Sequence, residues 1–215
     1  MANEQRLSNR DKVDLKCVLL GDSGVGKTCI LLRFLDNYYG DTRSTIGASY
    51  FKKTISVEDR TYQLGLWDTA GQGEDYLIER YDSLSSFYCR GAGAAVVTFD
   101  LTDRKSYESV NRWSDKLHSS NPEEHCFIVL VGTKMDLTAT DRKVTSAEAS
   151  QLARQIGAIA YVECSAKLGE NIDQLFATVV NKYDDIVRKY PKNKTKEDAV
   201  NVNESSPAKE RGCCG

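Results

Sequence analysis

Eight consecutive residues near the start of the chain have the types and the spacing that phosphate binding requires. They are Gly21, Asp22, Ser23, Gly24, Val25, Gly26, Lys27 and Thr28, and we call them the P-loop. Glycines let the backbone curl so that successive N–H groups point inward, and the following helix adds the positive end of its dipole. Lys27 supplies a charge for the β- and γ-phosphate oxygens, and Thr28 a hydroxyl for Mg²⁺. Because the segment follows a predicted strand and opens a predicted helix, we interpret it, with the adjoining Cys29, as a nucleoside triphosphate site rather than a glycine-rich turn.

The predicted strand 61–67 is followed by three residues that could act at the terminal phosphate, namely Asp68, Gly71 and Gln72. The carboxyl edge of the sheet would bring Asp68 beside the P-loop, where its carboxylate can hold Mg²⁺ through water. Gly71 would let the backbone approach a γ-phosphate, and Gln72 would orient the attacking water, because its amide both donates and accepts hydrogen bonds. Taken alone, this segment could be a turn, but beside a P-loop it predicts triphosphate hydrolysis.

A carboxylate further along the chain has the properties of a base-recognition group. Asp136 follows the predicted strand 127–132, at the strand end where open α/β sheets bind ligands. Its carboxylate can accept from the N1–H and the 2-amino group of guanine, which adenine does not offer, so Asp136 predicts guanine specificity. The aliphatic stem of Lys134 could cover one face of the base. A lone Lys-x-Asp on a surface is common, so this indication depends on its combination with the P-loop.

A second short loop is expected at the same edge of the sheet. It follows the strand-like run 159–162 and contains Ser165, Ala166 and Lys167. Its small residues leave the backbone N–H of Ala166 able to donate to guanine O6. The loop therefore adds a second contact to the predicted base site.

Strand-like and helix-like patterns alternate along most of the chain. Short apolar runs predict buried strands at 15–20, 93–100 and 127–132, and apolar spacings of three and four predict helices at 27–37, 106–119, 146–156 and 172–189. The exception is 49–67, where two β-rich stretches, 50–57 and 61–67, leave no room for a helix and predict an antiparallel hairpin. We therefore expect an α/β fold of the P-loop NTPase type, with a mostly parallel six-stranded sheet, one antiparallel edge strand and helices on both faces.

Composition and charge suit one nucleotide-binding domain with a short tail. The 215 residues are 40% hydrophobic and 28% charged, and the formal net charge of -2 gives no reason to expect a nucleic-acid partner. We find no apolar signal region and no run approaching the ~20 residues of a membrane span, so we expect a cytosolic chain. The boundaries that we expect are a flexible N-terminal extension at 1–11, the GTP-binding domain at 12–188 and a flexible tail at 189–215.

With these motifs in order over about residues 12–188, the chain resembles the Ras superfamily of small GTPases, and the Rab family in particular. The Rab-like segments are 44–47, 66–72, 88–92, 99–102 and the pair of cysteines at the end of the chain. The resemblance implies that Thr45 coordinates Mg²⁺ and senses the γ-phosphate, and that Tyr39 packs against the guanine. It also implies GTP or GDP as the ligand and slow, activator-dependent hydrolysis.

Three departures make the chain an atypical Rab by this resemblance. Thr133 stands where the family usually has Asn, as in an atypical minority of Rabs. It keeps one hydroxyl and lacks the amide that ties the base loop to the P-loop, so we expect a lower nucleotide affinity. Six residues, 73–78, separate Gln72 from Glu79, so the second switch is longer than usual. The span from Tyr39 to Thr45 is one residue shorter than usual.

The chain ends in two cysteines that suggest lipid attachment. Cys213 and Cys214 do not form a C-a-a-X box, because neither stands fourth from the end. They resemble the Rab double-cysteine ending, which implies two isoprenoid chains and hence stable membrane binding. The alternative is a pair of unmodified, exposed thiols.

The sequence thus favours a Rab-like regulatory GTPase of vesicular membrane traffic. The partners implied are effectors, an exchange factor, a GTPase-activating protein and a GDI-type prenyl chaperone, with a monomer in the cytosol and on the cytoplasmic face of intracellular membranes. Two alternatives remain open at this point. One is a GTP-gated scaffold on membranes that barely hydrolyses GTP, and the other, ranked last, is a P-loop kinase acting on a small molecule.

Overall fold

The sheet at the centre of the fold has six strands in the order β2-β3-β1-β4-β5-β6. The computed structural model describes residues 13–40, 45, 47–69, 87–122 and 126–189. The strands are β1 Leu15–Leu20, β2 Ala48–Val57, β3 Arg60–Thr69, β4 Ala94–Asp100, β5 Phe127–Thr133 and β6 Ala160–Glu163. Only the edge pair β2 and β3 is antiparallel. The predicted P-loop NTPase architecture is confirmed.

The helices that the structure describes cover both faces of this sheet. They are α1 Lys27–Asp36, α2 Arg104–Glu108, α3 Val110–Ser120, α4 Thr138–Asp141, α5 Ser146–Gln155 and α6 Ile172–Lys189, with a 3₁₀ turn at Met135–Leu137. Within the described ranges, none of them has the length and apolar character needed to cross a bilayer. The predicted boundaries are right to within a few residues for α1, α5 and α6, whereas the short α4 was not predicted.

The single helix predicted at 106–119 is wrong in its start and its continuity. The carboxylate of Asp103 accepts from the N–H of Lys105 and so caps a helix that begins at Arg104. Ser109 then separates α2 from α3, and its hydroxyl donates to the carbonyl of Lys105 at 3.1 Å. Hydroxyls that bond to a carbonyl four residues back compete with the helical backbone and often bend helices, and this bond lies at the break.

Alternation along β1 builds two hydrophobic cores, one on each face of the sheet. Leu15, Cys17 and Leu19 face α1 and α6, where Phe34 stacks on Phe176 with ring centroids 3.7 Å apart. On the other face, Val18 and Leu20 pack in a core with residues of α3 and α5, including Trp113, Leu117 and Leu152. Because β1, β4 and β5 lie inside the sheet between these cores, nearly all of their residues are buried.

The parallel strands bring the predicted functional segments to one edge. β1 ends at Leu20 just before the P-loop, and β5 and β6 end just before the two base loops. Asp68 lies inside β3, not after it as predicted, because the ladder continues past 67 and pairs Asp68 with Leu19 of β1. Open α/β sheets bind ligands at the carboxyl ends of their strands, so the topology itself assembles a site here.

Candidate functional site

Two glycines allow the chain to pass from β1 into α1 through the P-loop. Gly21 has φ 145°, and a Cβ on it would lie 2.3 Å from the carbonyl oxygen of Thr98. Gly26 has φ 98° in the left-handed region and stands immediately before the first residue of α1. A side chain at Gly21 would clash with the backbone of β4, and one at Gly26 would strain the turn. The P-loop therefore curls tightly, with its backbone close to the start of α1.

Lys27 is buried at the start of α1, where its ammonium group closes the P-loop. Its Nζ donates to the carbonyl oxygens of Gly21 and Asp22, both at 2.8 Å. Burial lowers the pKa of Lys27 to about 8, although the negative charges of Asp68 and Asp22 oppose the change. Phosphate oxygens could replace the two carbonyls as acceptors and would supply full negative charge.

The side chain of Asp22 is bonded to α3. Its Oδ1 accepts from Arg112 Nη2 and from the indole Nε1 of Trp113, both at 2.8 Å. Asp22 was predicted to bind nucleotide, but this arrangement leaves its backbone as its main contribution and gives the carboxylate a positioning role. The contact anchors the P-loop to a helix on the opposite side of the site.

Three oxygen-bearing side chains converge beside Lys27. Thr28 Oγ1 lies 2.7 Å from Thr45 Oγ1 and donates to Asp68 Oδ2 at 2.7 Å, and Thr45 Oγ1 lies 3.5 Å from the same carboxylate oxygen. Asp68 is only 1% exposed. Burial raises the pKa of Asp68, and hydrogen bonds from Thr28 and Thr45 and the charge of Lys27 limit the rise. The structure thus brings together all three predicted metal ligands.

These residues fit a magnesium ion. Mg²⁺ prefers oxygen ligands, and this cluster offers two hydroxyls and one carboxylate. Among the described residues, Asp68 Oδ1 is one of two buried side-chain atoms, with Gln63 Oε1, that lack a hydrogen-bond partner. A buried carboxylate oxygen without a partner is costly, and a cation or its bound water would satisfy it.

Thr133 joins the base loop to the P-loop through the hydroxyl that it keeps, although it lacks the amide that is usual at this position. Its hydroxyl Oγ1 lies 2.6 Å from the carbonyl oxygen of Val25 and 3.0 Å from that of Phe99. A hydroxyl carries one proton, so the shorter contact is the main hydrogen bond. Thr133 is the last residue of β5 and is only 3% exposed. From this position its short side chain reaches Val25 without an amide.

Lys134 is fixed by a carboxylate that the sequence analysis did not single out. Its Nζ lies 2.6 Å from Oδ2 of Asp100, which is 5% exposed at the end of β4. The other oxygen of Asp100 accepts from the N–H and the hydroxyl of Thr102 at 2.8 and 2.7 Å. The rule that located Asp136, an acidic residue at a strand's carboxyl end, would also have located Asp100.

Ser165 orients the carboxylate predicted to read the base. Its Oγ donates to Asp136 Oδ1 at 2.6 Å and accepts from the N–H of Leu168 at 3.1 Å. Ser165 is fully buried, and its backbone N–H and carbonyl pair with Glu170. The contact of Ser165 is therefore with Asp136, and its predicted role in nucleotide binding becomes one of positioning.

A cavity of about 190 Å³ connects the P-loop to the two base loops. The predicted site residues that line it are Gly24, Val25, Gly26, Cys29, Tyr39, Thr133, Lys134, Asp136, Ala166 and Lys167. Ser23 is exposed on the P-loop. The remaining predicted residues, Gly71, Gln72, Cys213 and Cys214, lie outside the described residues.

Comparison with known proteins shows which family the chain is similar to. The family model of the Ras family matches residues 16–185. Ras-related protein Rab-24 of Dictyostelium discoideum is 39% identical over 209 residues, which cover 95% of this chain and 99% of that protein. Putative ras-related protein Rab-5B of the same organism is 39% identical over 176 residues, 81% and 78% of the two chains. The Ypt/Rab-type GTPase avaA of Emericella nidulans is 36% identical over 178 residues, 80% and 83%.

Proposed function

The chain belongs to the Ras family as a Rab-type GTP hydrolase, and we propose that it alternates between GDP- and GTP-bound states to regulate vesicular membrane traffic. The observation that carries the proposal is the contact of Thr45 with Thr28 and Asp68. Thr45 comes from the segment between α1 and β2, and the other two residues come from the phosphate site. A segment attached to the phosphate site through one hydroxyl can be ordered by a γ-phosphate and released after hydrolysis.

The residues of the phosphate site have separable roles in this proposal. The P-loop amides and Lys27 would hold the β- and γ-phosphates, while Thr28, Thr45 and Asp68 would hold Mg²⁺, whose charge would neutralise that of the phosphates. Gly71 lets the backbone approach the γ-phosphate, and Gln72 orients the attacking water. Phosphoryl transfer of this kind is slow without a partner that supplies an arginine, so we propose activator-dependent turnover.

Guanine is the base that these side chains suit. Asp136 presents a carboxylate whose orientation is set by Ser165, and the Ala166 N–H lies in the loop that lines the same cavity. Asp136 would accept from guanine N1–H and the 2-amino group, and Ala166 would donate to O6. Adenine would leave the carboxylate facing an acceptor, which costs a few kcal/mol at order of magnitude. The exposed ring of Tyr39 borders the cavity and is positioned to cover the base.

The partners in our proposal follow from the switch and the tail. Effectors, an exchange factor and a GTPase-activating protein would bind near the switch segments, and a GDI-type chaperone would carry the lipid chains. Prenylation of Cys213 and Cys214, in the tail that follows the domain, would hold the protein on the cytoplasmic face of intracellular membranes. The scaffold that barely hydrolyses GTP is not favoured, because the family is one of GTP hydrolases.

The direct test is to identify the nucleotide that the purified, full-length protein releases on denaturation. We expect GDP or GTP at close to one molecule per chain, and faster loss of it when EDTA removes Mg²⁺. Release of an adenine nucleotide would contradict the base assignment. A protein that neither carries nor takes up guanine nucleotide would contradict the proposed switch.

A further inference from the structure

Arg33 connects the last turn of α1 to the second base loop. Its Nε donates to the carbonyl oxygen of Ala166 at 2.7 Å, and its Nη2 donates to that of Lys167 at 2.9 Å. The two ends of this contact are 133 and 134 residues apart in sequence. A single guanidinium thus holds two successive carbonyls of the loop that is proposed to contact guanine O6.

The shape of the guanidinium matters to this contact. Arginine has five N–H donors in a rigid planar fork, so it can satisfy two neighbouring acceptors at once, which a lysine ammonium does less well. The described peptide bonds are all trans. Each peptide unit is planar, so anchoring the Ala166 carbonyl fixes the peptide on one side of Ala166. The peptide on the other side, which contains the Ala166 N–H, is fixed by the bond of the Ser165 carbonyl with the N–H of Glu170.

The same side chain also contacts Tyr39, which lines the base cavity. Nη1 of Arg33 donates to the backbone and side-chain oxygens of Asn37 at 2.9 and 3.0 Å. Its Cζ lies 5.8 Å from the centroid of the Tyr39 ring, within the range of a cation–π interaction. Asn37 ends α1 in the left-handed conformation, with φ 53°. Arg33 therefore contacts both the segment that carries Tyr39 and the loop that carries Ala166.

We propose that Arg33 is a positioning residue for guanine recognition, holding the Ala166–Lys167 backbone so that the Ala166 N–H meets O6. The inference rests on the proposed base site and adds a residue to it. Arg33 lines a neighbouring cavity of about 410 Å³ and acts on the base cavity through the loop carbonyls and the Tyr39 ring. Loss of the Arg33 guanidinium should therefore weaken the hydrogen bond to guanine O6. The contact of Asp136 with guanine N1–H and the 2-amino group should stay in place.

Three nucleotides can distinguish the contact with O6 from the contact with the 2-amino group. GDP has all of the guanine groups. In 6-thio-GDP a weakly accepting sulfur replaces O6, and IDP keeps O6 but lacks the 2-amino group. We expect Arg33→Met, which keeps an unbranched apolar stem, to lower the affinity of the full-length protein for GDP and IDP by about tenfold each. The affinity for 6-thio-GDP should fall much less, because its O6 contact is already weak.

Comparing the affinities of one variant for different nucleotides makes the test independent of a general loss of stability. For Arg33→Met we expect the preference for GDP over 6-thio-GDP to shrink toward unity and the preference for GDP over IDP to stay at its wild-type value. Arg33→Lys keeps the charge without the fork and should behave like Arg33→Met. The matched control is Arg104→Met, which removes a guanidinium that bonds Glu148 and lies over the Tyr107 ring away from the site. This control should keep every wild-type ratio.

Several results would overturn the role of Arg33. One is an equal loss of affinity for all three nucleotides, which a purely structural role would produce. Others are unchanged ratios in Arg33→Met, wild-type ratios in Arg33→Lys, or a wild-type protein that binds GDP and 6-thio-GDP equally. Failure of the wild-type protein to prefer GDP over ADP is a different result, since it would contradict the proposed function itself.

Discussion

The hydroxyl of Thr133 donates to the carbonyl oxygen of Val25 across 2.6 Å, and so links the end of β5 to the P-loop. Val25 and Thr133 are both almost fully buried, so this hydrogen bond lies largely away from solvent. A buried acceptor without its donor costs about 1 to 3 kcal/mol. The link therefore contributes both to the stability of the domain and to the geometry of the phosphate site.

Replacing Thr133 with Val tests this link, because valine has nearly the same shape and no hydroxyl. We expect Thr133→Val to lower the free energy of unfolding by about 1 to 2 kcal/mol and to speed GDP release by about tenfold. Fluorescent-GDP dissociation and urea denaturation measure the two effects. Thr133→Ser keeps the hydroxyl and should stay close to wild type. Wild-type release from Thr133→Val would mean that the link does not support the nucleotide.

Asp68 should make nucleotide retention depend on magnesium. In the wild type we expect EDTA to speed GDP release by about tenfold or more, because the ion would be held by Thr28, Thr45 and Asp68. Asp68→Asn keeps the size and removes the charge, so its release should be fast with or without EDTA. The exposed Asp141→Asn serves as a control and should respond to EDTA as the wild type does. A strong EDTA response in Asp68→Asn would remove Asp68 from the metal site.

Gln72 is predicted to act in hydrolysis and not in binding. Its amide would orient the attacking water, so Gln72→Leu should slow single-turnover GTP hydrolysis on the order of tenfold or more while leaving GTP affinity within about twofold. The surface change Gln151→Leu on α5 should leave both quantities unchanged. Equal single-turnover rates in Gln72→Leu and wild type would refute the catalytic role.

The two cysteines near the end of the chain should decide membrane attachment. Two lipid chains bind membranes stably and one binds marginally, so we expect Cys213→Ser with Cys214→Ser to move the protein to the soluble fraction of cells. Each single change should give partial association. Cys126→Ser, at a cysteine within the domain, is the control and should fractionate like wild type. Persistent membrane association of the double variant would exclude the proposed anchor.

The stability of the domain should depend on pH through Glu163, which supports the base loop. Its carboxylate accepts from Arg142, Ser146 and Tyr161, with the closest contacts at 2.6 Å. Burial acts to raise the pKa of Glu163, but these hydrogen bonds outweigh it and lower the pKa from 4.5 to about 2. Because the folded pKa is the lower one, the stabilisation is complete above pH 4.5 and is lost as the pH falls toward 2.

Glu163→Gln isolates this contribution. At pH 6 we expect the variant to be less stable than wild type by on the order of 2 to 3 kcal/mol in urea denaturation. The difference should shrink as the pH is lowered from 5 to 3. A difference that is independent of pH would show that the charge of Glu163 is not responsible.

Contiguous motifs could be predicted well from sequence. The P-loop needs its glycines, Lys27 and Thr28 at short fixed spacing, so the pattern and the flanking elements were enough to locate it. Strands and helices were located by their apolar periodicity, and their alternation predicted the sheet. The break at Ser109 was missed because the buried positions Ser106, Val110, Trp113 and Leu117 keep a helical spacing across it.

The sequence by itself determined which chemical groups the protein carries: a phosphate loop, a carboxylate that we propose binds guanine, and a pair of cysteines near the end, each identified from residue type and local spacing. Only the tertiary structure decided how these groups are held. Thr133 hydrogen-bonds to Val25, Arg33 to Ala166 and Trp113 to Asp22, and Lys134 forms an ion pair with Asp100. These pairs join residues that are far apart along the chain. Which residues meet depends on strand order, on register and on the direction of each side chain, and these follow from the packing of the whole sheet.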